Sequence, residues 1–408
     1  MNERLLVIGS GMATARLLED LVAGEYPGTI TVVGEEPEAS YNRILLSPLL
    51  CGEKAPEELP LLARDWYEAN RIRLRTGARV VAIDLSAGLA RLAGAEVIGF
   101  DRLVFATGSR PYLPDIPGVD ARGVMGFRTL GDARVLDEVL APGDPVVVIG
   151  GGLLGLEAAH GLTARGRAVT VVHRQPWLMN RQLDADGGEM LAGQLGVRGM
   201  VFRLGRQPVR VLARQGRVLG VELDDGEVLP AKLVLFAAGI TPNRELASAA
   251  GLPCDRGILV DDTLATSDPR VYALGECCQL GDITFGLVAP VLEQAAVLAA
   301  RLCGDRRARY RHRDTATQLK VSGIDLYSAG YLGGDGEGRP DQQVIRDPEG
   351  GVYRRLVFAG DRLVGAVLLG DRRDASWYGE LIDSGVDVGP LRHLLVFGRA
   401  YCEPLGTG

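Results

Sequence analysis

The sequence is poor in aromatic residues and contains no long apolar run. Aromatic side chains make up 5% of the 408 residues, and no stretch approaches the roughly 20 apolar residues of a membrane span. Met1–Glu3 lead straight into a short apolar strand pattern, so no secretory signal is indicated. A formal net charge of −7 argues against non-specific nucleic-acid binding. We therefore expect a cytoplasmic protein that binds neither membrane nor nucleic acid.

Cysteine motifs of metal or disulfide chemistry are also missing. The six cysteines are Cys51, Cys254, Cys277, Cys278, Cys303 and Cys402. None forms C-x-x-C, and no four have the spacing of a zinc or iron–sulfur site, so we predict no metal centre. Adjacent side chains diverge, which makes Cys277–Cys278 a poor disulfide. We interpret the cysteines as small buried residues, and a redox role for Cys51 or Cys277–Cys278 stays open.

Glycine, in contrast, is abundant at 55 residues, and a first glycine-rich stretch follows an apolar strand. Gly9 and Gly11 stand between that strand and a helical pattern, which places backbone N–H groups against a pyrophosphate. Thr14 replaces the third glycine of G-x-G-x-x-G. The next strand ends in Glu35 and Glu36, roughly 20 residues past the glycines, where a carboxylate binds adenosine ribose hydroxyls. We expect at least one of these acids to do so.

A second glycine-rich stretch carries the full fingerprint. The strand Pro145–Ile149 precedes Gly150, Gly152 and Gly155, and a helix of small residues follows. The next strand ends in His173–Arg174, with no acid. Two such stretches in one chain are interpreted as an FAD site and an NAD(P)H site in separate domains. The alternative is a duplicated NAD-binding protein.

Later segments favour the FAD interpretation. Strands ending in Ala106–Gly108 and in Ala238–Gly239 mark the chain passing between domains. Gly275–Glu276 then returns it to the first domain, where the acid can bond the FAD ribitol. The segment Gly286–Pro290 opens a helix whose N-terminus can stabilise negative charge on the flavin.

The predicted fold class is α/β, with two Rossmann-type nucleotide-binding domains and a C-terminal α+β interface domain. The NAD domain is inserted in the FAD domain. The predicted bounds are 1–113 with 245–310 for FAD, 114–244 for NAD(P)H and 311–408 for the C-terminal domain, after a solvated linker at Arg311–Asp314.

The ordered motifs resemble the pyridine-nucleotide:disulfide-oxidoreductase-like flavoproteins. More narrowly, the chain is similar to the reductase module of bacterial assimilatory nitrite reductases and to the electron-transfer subunits of assimilatory nitrate reductases. The segments specific to that subgroup are Tyr41–Ser47, Leu178–Asp184, Leu319–Gly323 and Gly365–Asp371.

The resemblance implies an NAD(P)H-dependent reductase that uses FAD and NADH, with NADPH possible. Its partner would be a separate iron–sulfur, siroheme or molybdenum protein of nitrate or nitrite assimilation. Motifs and resemblance together assign to FAD the residues Gly9, Gly11, Met12, Ala13, Glu35, Glu36, Arg43, Ser47, Val80, Ala106, Thr107, Gly108, Gly275, Glu276, Leu287 and Ala289. They assign to NAD(P)H the residues Gly150, Gly152, Leu153, Leu154, Gly155, His173, Arg174, Ala238 and Gly239, with Glu157 as a catalytic contact on the nicotinamide side.

Departures from the family pattern leave alternatives open. Pro48 stands where ferredoxin and rubredoxin reductases often carry a flavin-side lysine, the partner of the residue matching Glu157. This difference weakens, without removing, the interpretation as a ferredoxin or rubredoxin reductase. A flavin-bound redox sensor is the third alternative. Only Cys402 lies in the last hundred residues, so we expect a chain that loads FAD and hands electrons on. His173–Arg174 favours tolerance of NADPH, whereas the subgroup favours NADH.

Overall fold

The structure is a computed structural model that describes residues 3–312, 317–321 (backbone only), 323–333 and 341–402. Its chain divides into two compact units. The first unit comprises the chain up to Tyr112, Arg128–Leu130 and the segment that starts at Gly239 and includes the long helix α8 defined below. The second unit comprises Leu113–Phe127, Gly131–Ala238 and the C-terminal segment. The predicted linker lies partly outside the described residues, and the three predicted domain bounds stay a prediction.

Both units contain strands and helices. The strands are β1 (Arg4–Ile8), β2 (Thr29–Val33), β3 (Arg73–Arg75), β4 (Val80–Asp84), β5 (Leu89–Leu92), β6 (Val97–Gly99), β7 (Arg102–Phe105), β8 (Ser109–Pro111), β9 (Val124–Gly126), β10 (Pro145–Ile149), β11 (Ala168–His173), β12 (Val201–Leu204), β13 (Pro208–Arg214), β14 (Arg217–Leu223), β15 (Val228–Pro230), β16 (Leu233–Phe236), β17 (Ile240–Pro242), β18 (Ile258–Val260), β19 (Val271–Ala273), β20 (Cys278–Leu280), β21 (Ile283–Thr284), β22 (Thr317–Val321), β23 (Ile324–Gly330), β24 (Asp341–Asp347), β25 (Val352–Ala359) and β26 (Arg362–Leu369). The helices are α1 (Met12–Ala23), α2 (Leu46–Cys51), α3 (Arg64–Ala69), α4 (Leu130–Val139), α5 (Leu153–Ala164), α6 (Ala185–Gly196), α7 (Glu245–Ala249), α8 (Val288–Leu302), α9 (Ala375–Ser384) and α10 (Arg392–Leu395).

A parallel sheet of order β19-β7-β1-β2-β3 forms the centre of the first unit. The apolar run of β1 is buried on both faces, as a parallel strand covered on both sides requires. Helices α1 and α8 pack against each other beside it. The antiparallel sheet β4-β5-β6 occupies the connection from β3 to β7.

The second unit repeats this plan. Its parallel sheet has the order β12-β11-β10-β16-β9, and the antiparallel sheet β13-β14-β15 occupies the connection from β12 to β16. Because parallel strands share one carboxyl edge, the loop after β10 and the end of β11 lie side by side. The same relation holds for β1 and β2 in the first unit.

The C-terminal segment of the second unit is an antiparallel sheet of order β22-β23-β26-β25-β24. Helix α9 packs on this sheet, and its own Tyr378 is buried in one cluster with Tyr327 and Leu356. Two parallel-sheet nucleotide folds and an α+β C-terminal segment confirm the predicted fold class. Among the described residues, no helix has both the length and the apolar character needed to cross a bilayer.

Candidate nucleotide-binding sites

The first glycine loop is held by backbone contacts that only glycine permits. Gly9 has φ +112°, and its N–H donates to the carbonyl of Val33 over 2.8 Å. A Cβ at this position would lie 2.1 Å from the carbonyl oxygen of Ala106. The loop therefore lies directly against the end of β7, and any side chain here would have to displace backbone.

The outer side of the same loop is open. Gly11 is the N-cap of α1, and a Cβ added there would meet nothing within 4 Å. Met12 and Ala13 form the first helical turn, whose free N–H groups attract phosphate. Thr14 is fully buried and donates its hydroxyl to the carbonyl of Gly9 over 2.7 Å. This bond explains how the loop accommodates a residue other than glycine at the third fingerprint position.

The two acids after β2 have different surroundings. Glu36 accepts a hydrogen bond from Tyr41 over 2.6 Å and is ion-paired with Arg43. Arg43 also donates to the backbone carbonyl of Arg128 over 2.9 Å. Glu35 is 69% exposed, with Arg79 at 3.7 Å. Glu36 is thus committed to the protein, and Glu35 is the carboxylate that a ribose could use.

The Ala106–Gly108 turn is held by a residue that sequence reasoning missed. The backbone carbonyl of Asn243 accepts a hydrogen bond from the hydroxyl of Thr107 over 2.8 Å. The side-chain amide of Asn243 donates to the backbone carbonyl of Thr107 over 2.9 Å. Its own N–H donates to the carbonyl of Gly108. No local pattern marks Asn243, because its partners lie well over a hundred residues away.

Glu276, predicted to reach the FAD ribitol, is largely buried among polar partners. Its carboxylate is ion-paired with Arg128 and accepts from the hydroxyl of Ser109 over 2.9 Å. Gly275 has φ +83°, and its N–H donates to the buried side chain of Gln294 over 2.7 Å. Arg128 and Gln294 were both missed. Neither belongs to a sequence motif.

The remaining predicted residues of the first unit lie on different elements. Ser47 is buried on α2, and Val80 is buried in β4. Leu287 is the N-cap of α8 and Ala289 lies in its first turn. α8 starts at Val288, within the segment Gly286–Pro290 predicted to open it. Nothing in the structure assigns a ligand contact to these four residues, so their FAD roles stay predictions.

The adjacent pair Cys277–Cys278 fits the interpretation as small buried residues, whereas Cys51, Cys254 and Cys303 are half-buried. Cys277 and Cys278 are fully buried, and burial raises the pKa of both thiols. A raised pKa disfavours the thiolate that redox chemistry requires. Cys51 is half-buried at the end of α2.

The second glycine loop repeats the geometry of the first. Gly150 has φ +130°, its N–H donates to the carbonyl of Val172 over 2.8 Å, and a Cβ would lie 2.4 Å from the carbonyl oxygen of Ala237. Gly152 is the N-cap of α5 and has open space where a Cβ would project. A Cβ on Gly155 would lie 2.0 Å from the carbonyl oxygen of Gly150. Gly150 and Gly155 therefore have a steric reason within the protein, whereas Gly152 leaves open space at the N-terminus of α5.

Helix α5 carries the next group of predicted residues. Leu153 and Leu154 form its first turn, and Glu157 is half-buried one turn further on. Ala238–Gly239 directly follows the carboxyl-terminal end of β16, and Gly239 has φ +132°. The first turn of α5 offers N–H groups to a phosphate. The nicotinamide-side role of Glu157 and Ala238–Gly239 stays a prediction.

The end of β11 carries a histidine that is bound within the protein. His173 Nδ1 accepts from the N–H of Gly151 over 3.1 Å, and its Nε2 lies 3.2 Å from Oδ1 of Asn180. Arg174, the next residue, is exposed. Both residues lie where Rossmann folds contact the adenosine ribose.

Two open phosphate loops, each at the carboxyl edge of a parallel sheet, define the class of a flavoprotein with two dinucleotide sites. Comparison with known proteins agrees: residues 3–300 match the family described as pyridine nucleotide-disulphide oxidoreductase. The chain belongs to this family. Residues 316–386 match the rubredoxin NAD+ reductase C-terminal domain. The protein is an NAD(P)H-dependent flavoprotein oxidoreductase that binds FAD and NAD(P)H.

Several characterised proteins are similar over almost the whole chain. A nitrite reductase [NAD(P)H] of Bacillus subtilis is 39% identical over 95% of this chain and 48% of its own length. The assimilatory nitrate reductase electron transfer subunit of Bacillus subtilis is 38% identical over 94% of this chain and 49% of its own. The crystal structure of a ferredoxin reductase from Rhodopseudomonas palustris has a TM-score of 0.85 and 28% identity, covering 95% of this chain and 96% of that one. The chain thus spans about half the length of the two Bacillus relatives.

Proposed function

We propose that this chain is the reductase module of an assimilatory nitrate or nitrite reductase, passing electrons from NADH through FAD to a separate iron–sulfur, siroheme or molybdenum protein. The two complete phosphate loops in one chain carry the proposal. The choice of acceptor is supported by the two Bacillus relatives, whose names describe nitrite reduction and electron transfer for nitrate reduction.

Each loop has the features that its nucleotide needs. In the first unit, Gly11 leaves room for a pyrophosphate and Glu35 is available for a ribose. Glu36 and Glu276 are instead neutralised by ion pairs with Arg43 and Arg128. In the second unit, Gly152 leaves the same room. When bound, the two nucleotides supply hydride transfer from reduced nicotinamide to flavin.

The chain itself has to bind, orient and shield the nucleotides. Hydride transfer needs no general base, so the expected work is positional. We assign Glu157, half-buried on α5, a contact on the nicotinamide side. Asn243, Gln294 and Arg128 hold the turns and acids of the first unit in place.

A ferredoxin or rubredoxin reductase is the second candidate. The structural similarity to the ferredoxin reductase from Rhodopseudomonas palustris extends over almost the whole of both chains. The C-terminal match is to a rubredoxin NAD+ reductase domain. Such a protein would use the same loops and differ only in its acceptor.

The acceptor is tested with flavin-loaded protein, expected to hold one FAD per chain, under anaerobic conditions. NADH first bleaches the flavin, and reoxidation is then followed after adding either the catalytic portion of an assimilatory nitrate or nitrite reductase, a ferredoxin or a rubredoxin. We expect the nitrogen-assimilation partner to reoxidise the flavin fastest. Fast reoxidation by ferredoxin or rubredoxin alone would support the second candidate.

Two controls separate binding from acceptor choice. The Gly152→Ala variant should take up hydride poorly from NADH yet, once reduced chemically, deliver electrons as the wild type does. Slow turnover of the wild type with every acceptor, artificial one-electron acceptors included, would indicate a redox sensor. Protein that stays colourless after mixing with FAD would contradict the flavin assignment itself.

A further inference from the structure

The imidazole of His173 has both ring nitrogens engaged within the second unit. Nδ1 accepts from the N–H of Gly151 over 3.1 Å, and Nε2 lies 3.2 Å from Oδ1 of Asn180. Neutral histidine carries one donor and one acceptor nitrogen, so the tautomer with its proton on Nε2 satisfies both contacts. The protonated ring has two donors and cannot accept from Gly151. The geometry therefore selects a neutral ring.

The segment that supplies Asn180 is tied to the same glycine loop. The N–H of Met179 donates to the carbonyl of Gly151 over 2.9 Å. A Cβ on Gly151 would lie 2.7 Å from the ring carbon Cγ of His173, so the ring packs directly on the loop. A change in the charge or position of this ring would therefore be felt at the nucleotide loop.

The charges around the ring do not favour its protonated form. Burial lowers the pKa of His173, and the charge of the neighbouring Arg174 lowers it further. The hydrogen bond to the side-chain oxygen of Asn180 opposes this shift. Most nearby ionic side chains already have partners: Arg203 pairs with Glu227, Arg206 pairs with Asp225, and Asp184 caps α6 and accepts from Tyr353. Asp186 and Glu189 of α6 pair with Arg346. The adjoining elements also carry Arg181, Glu157 and His160.

We propose that His173, positioned by Asn180, is a proton-dependent selector between NADH and NADPH. While the ring is neutral, Arg174 is the cation offered to the adenosine ribose at the end of β11. When the ring takes up a proton from solvent, it gives up the bond to Gly151 and becomes a second cation there. Two cations favour the 2′-phosphate of NADPH more than one does. This selector rests on the assignment of the second loop to NAD(P)H.

The tautomer is tested directly by nitrogen-15 NMR on the flavin-loaded protein, which has only four histidines. We expect His173 to appear as the Nε2–H tautomer at neutral pH. Linkage is reciprocal, so saturating 2′,5′-ADP should raise the pKa of His173 relative to saturating 5′-ADP. A ring protonated on Nδ1, or one whose pKa is the same with both ligands, would overturn the selector. This measurement needs no variant.

The selectivity is tested by comparing the affinities of 2′,5′-ADP and 5′-ADP. The matched control is His173→Asn, whose side-chain oxygen can still accept from Gly151 but cannot take up a proton. The 2′-phosphate itself titrates near pH 6, so the wild type is always compared with this variant. From about pH 8 to about pH 5.5, the affinity ratio should rise roughly three- to tenfold more in the wild type.

The Asn180→Leu variant tests the positioning role. It should show a mixture of both His173 tautomers by NMR, an effect that loss of packing alone would not cause. Equal pH dependence of the wild type and His173→Asn would overturn the selector alone. Failure of the wild type to bind either ligand would instead overturn the assignment of the second loop.

Discussion

The two nucleotide units share one backbone plan at their glycine loops. Gly9 and Gly150 both have positive φ, at +112° and +130°. The N–H of Gly9 donates to the carbonyl of Val33, and the N–H of Gly150 donates to the carbonyl of Val172, each over 2.8 Å. Both acceptors lie at the end of the neighbouring strand. A Cβ on either glycine would collide with a carbonyl that follows another strand of the sheet, that of Ala106 after β7 or that of Ala237 after β16. Backbone geometry, independent of the nucleotide, thus dictates glycine at this position.

The side chains just beyond the second strand differ between the units. Ile8 pairs with Val33 in the first unit and Ile149 with Val172 in the second. Counting on from these pairs, Glu35 and Arg174 are equivalent residues. The backbone plan is therefore common to both units, whereas the charge of this one residue is opposite. We therefore expect Arg174, more than His173, to influence the choice between NADH and NADPH.

The third fingerprint position shows that one packing problem has two solutions. Gly155 leaves no room for a Cβ beside the carbonyl of Gly150. At the equivalent position, Thr14 is fully buried and hydrogen-bonded to the carbonyl of Gly9. Whether glycine is required at this position therefore depends on the local packing of the helix against its loop.

The largest expected effect comes from Gly9→Ala. The methyl group would collide with backbone at 2.1 Å and the φ is unfavourable, at a cost of at least about 1–3 kcal/mol. We expect the protein to lose FAD and to melt several degrees lower. Flavin absorbance and thermal unfolding measure this. Gly77→Ala, with φ +64° and open space, is the control for φ alone. Equal effects of the two variants would contradict the close approach.

Gly155→Thr places the residue of the first unit into the second. Because the backbone contact there is 2.0 Å, we expect NADH affinity to fall at least about tenfold while FAD is retained. Titration with NADH measures the affinity. Gly193→Thr, on α6 with nothing within 4 Å of its Cβ, controls for threonine in a helix. An unchanged NADH affinity would show that the second loop tolerates threonine as the first does.

Arg174→Leu removes the cation at the position equivalent to Glu35. A phosphate contact from arginine is worth around 1–3 kcal/mol, so NADPH efficiency should fall about tenfold more than NADH efficiency. Steady-state kinetics with both cofactors measure the split. Arg181→Leu, an exposed arginine of the same segment, removes the same charge nearby as a control. Equal losses with both cofactors would mean that Arg174 does not reach the ribose.

The smallest expected effect is that of Thr14→Val. The variant removes the hydrogen bond from the hydroxyl to the carbonyl of Gly9 and keeps the buried volume. The free energy of unfolding should therefore fall by about 1 kcal/mol. Chemical denaturation measures this, with Thr163→Val as a matched control, since that hydroxyl bonds a helix carbonyl in a half-buried setting. A loss no greater than that of the control would mean that packing alone accommodates Thr14.

Sequence reasoning succeeded where function depends on local backbone. The glycine loops and the fold class could be predicted because the strand–glycine turn–helix pattern is local in the sequence, although the carbonyls that Gly9 and Gly150 approach, those of Ala106 and Ala237, are not. Arg128 and Asn243 could not, because they reach their partners across 148 and 136 residues. The equivalence of Glu35 and Arg174 also required the strand register, because the sequence indicated only the pair His173–Arg174.

The central claim is that the first loop holds FAD and the second holds NAD(P)H. Gly11→Ala and Gly152→Ala test it most directly, because both residues have ordinary negative φ and open space at the Cβ. Each variant should fold normally and place a methyl group only where a phosphate approaches. The measurement is the affinity of each purified variant for FAD and for NADH. We predict that Gly11→Ala loses FAD affinity about tenfold or more and keeps NADH binding, with the reverse for Gly152→Ala. Loss of the same nucleotide in both variants, or of neither, would contradict the account.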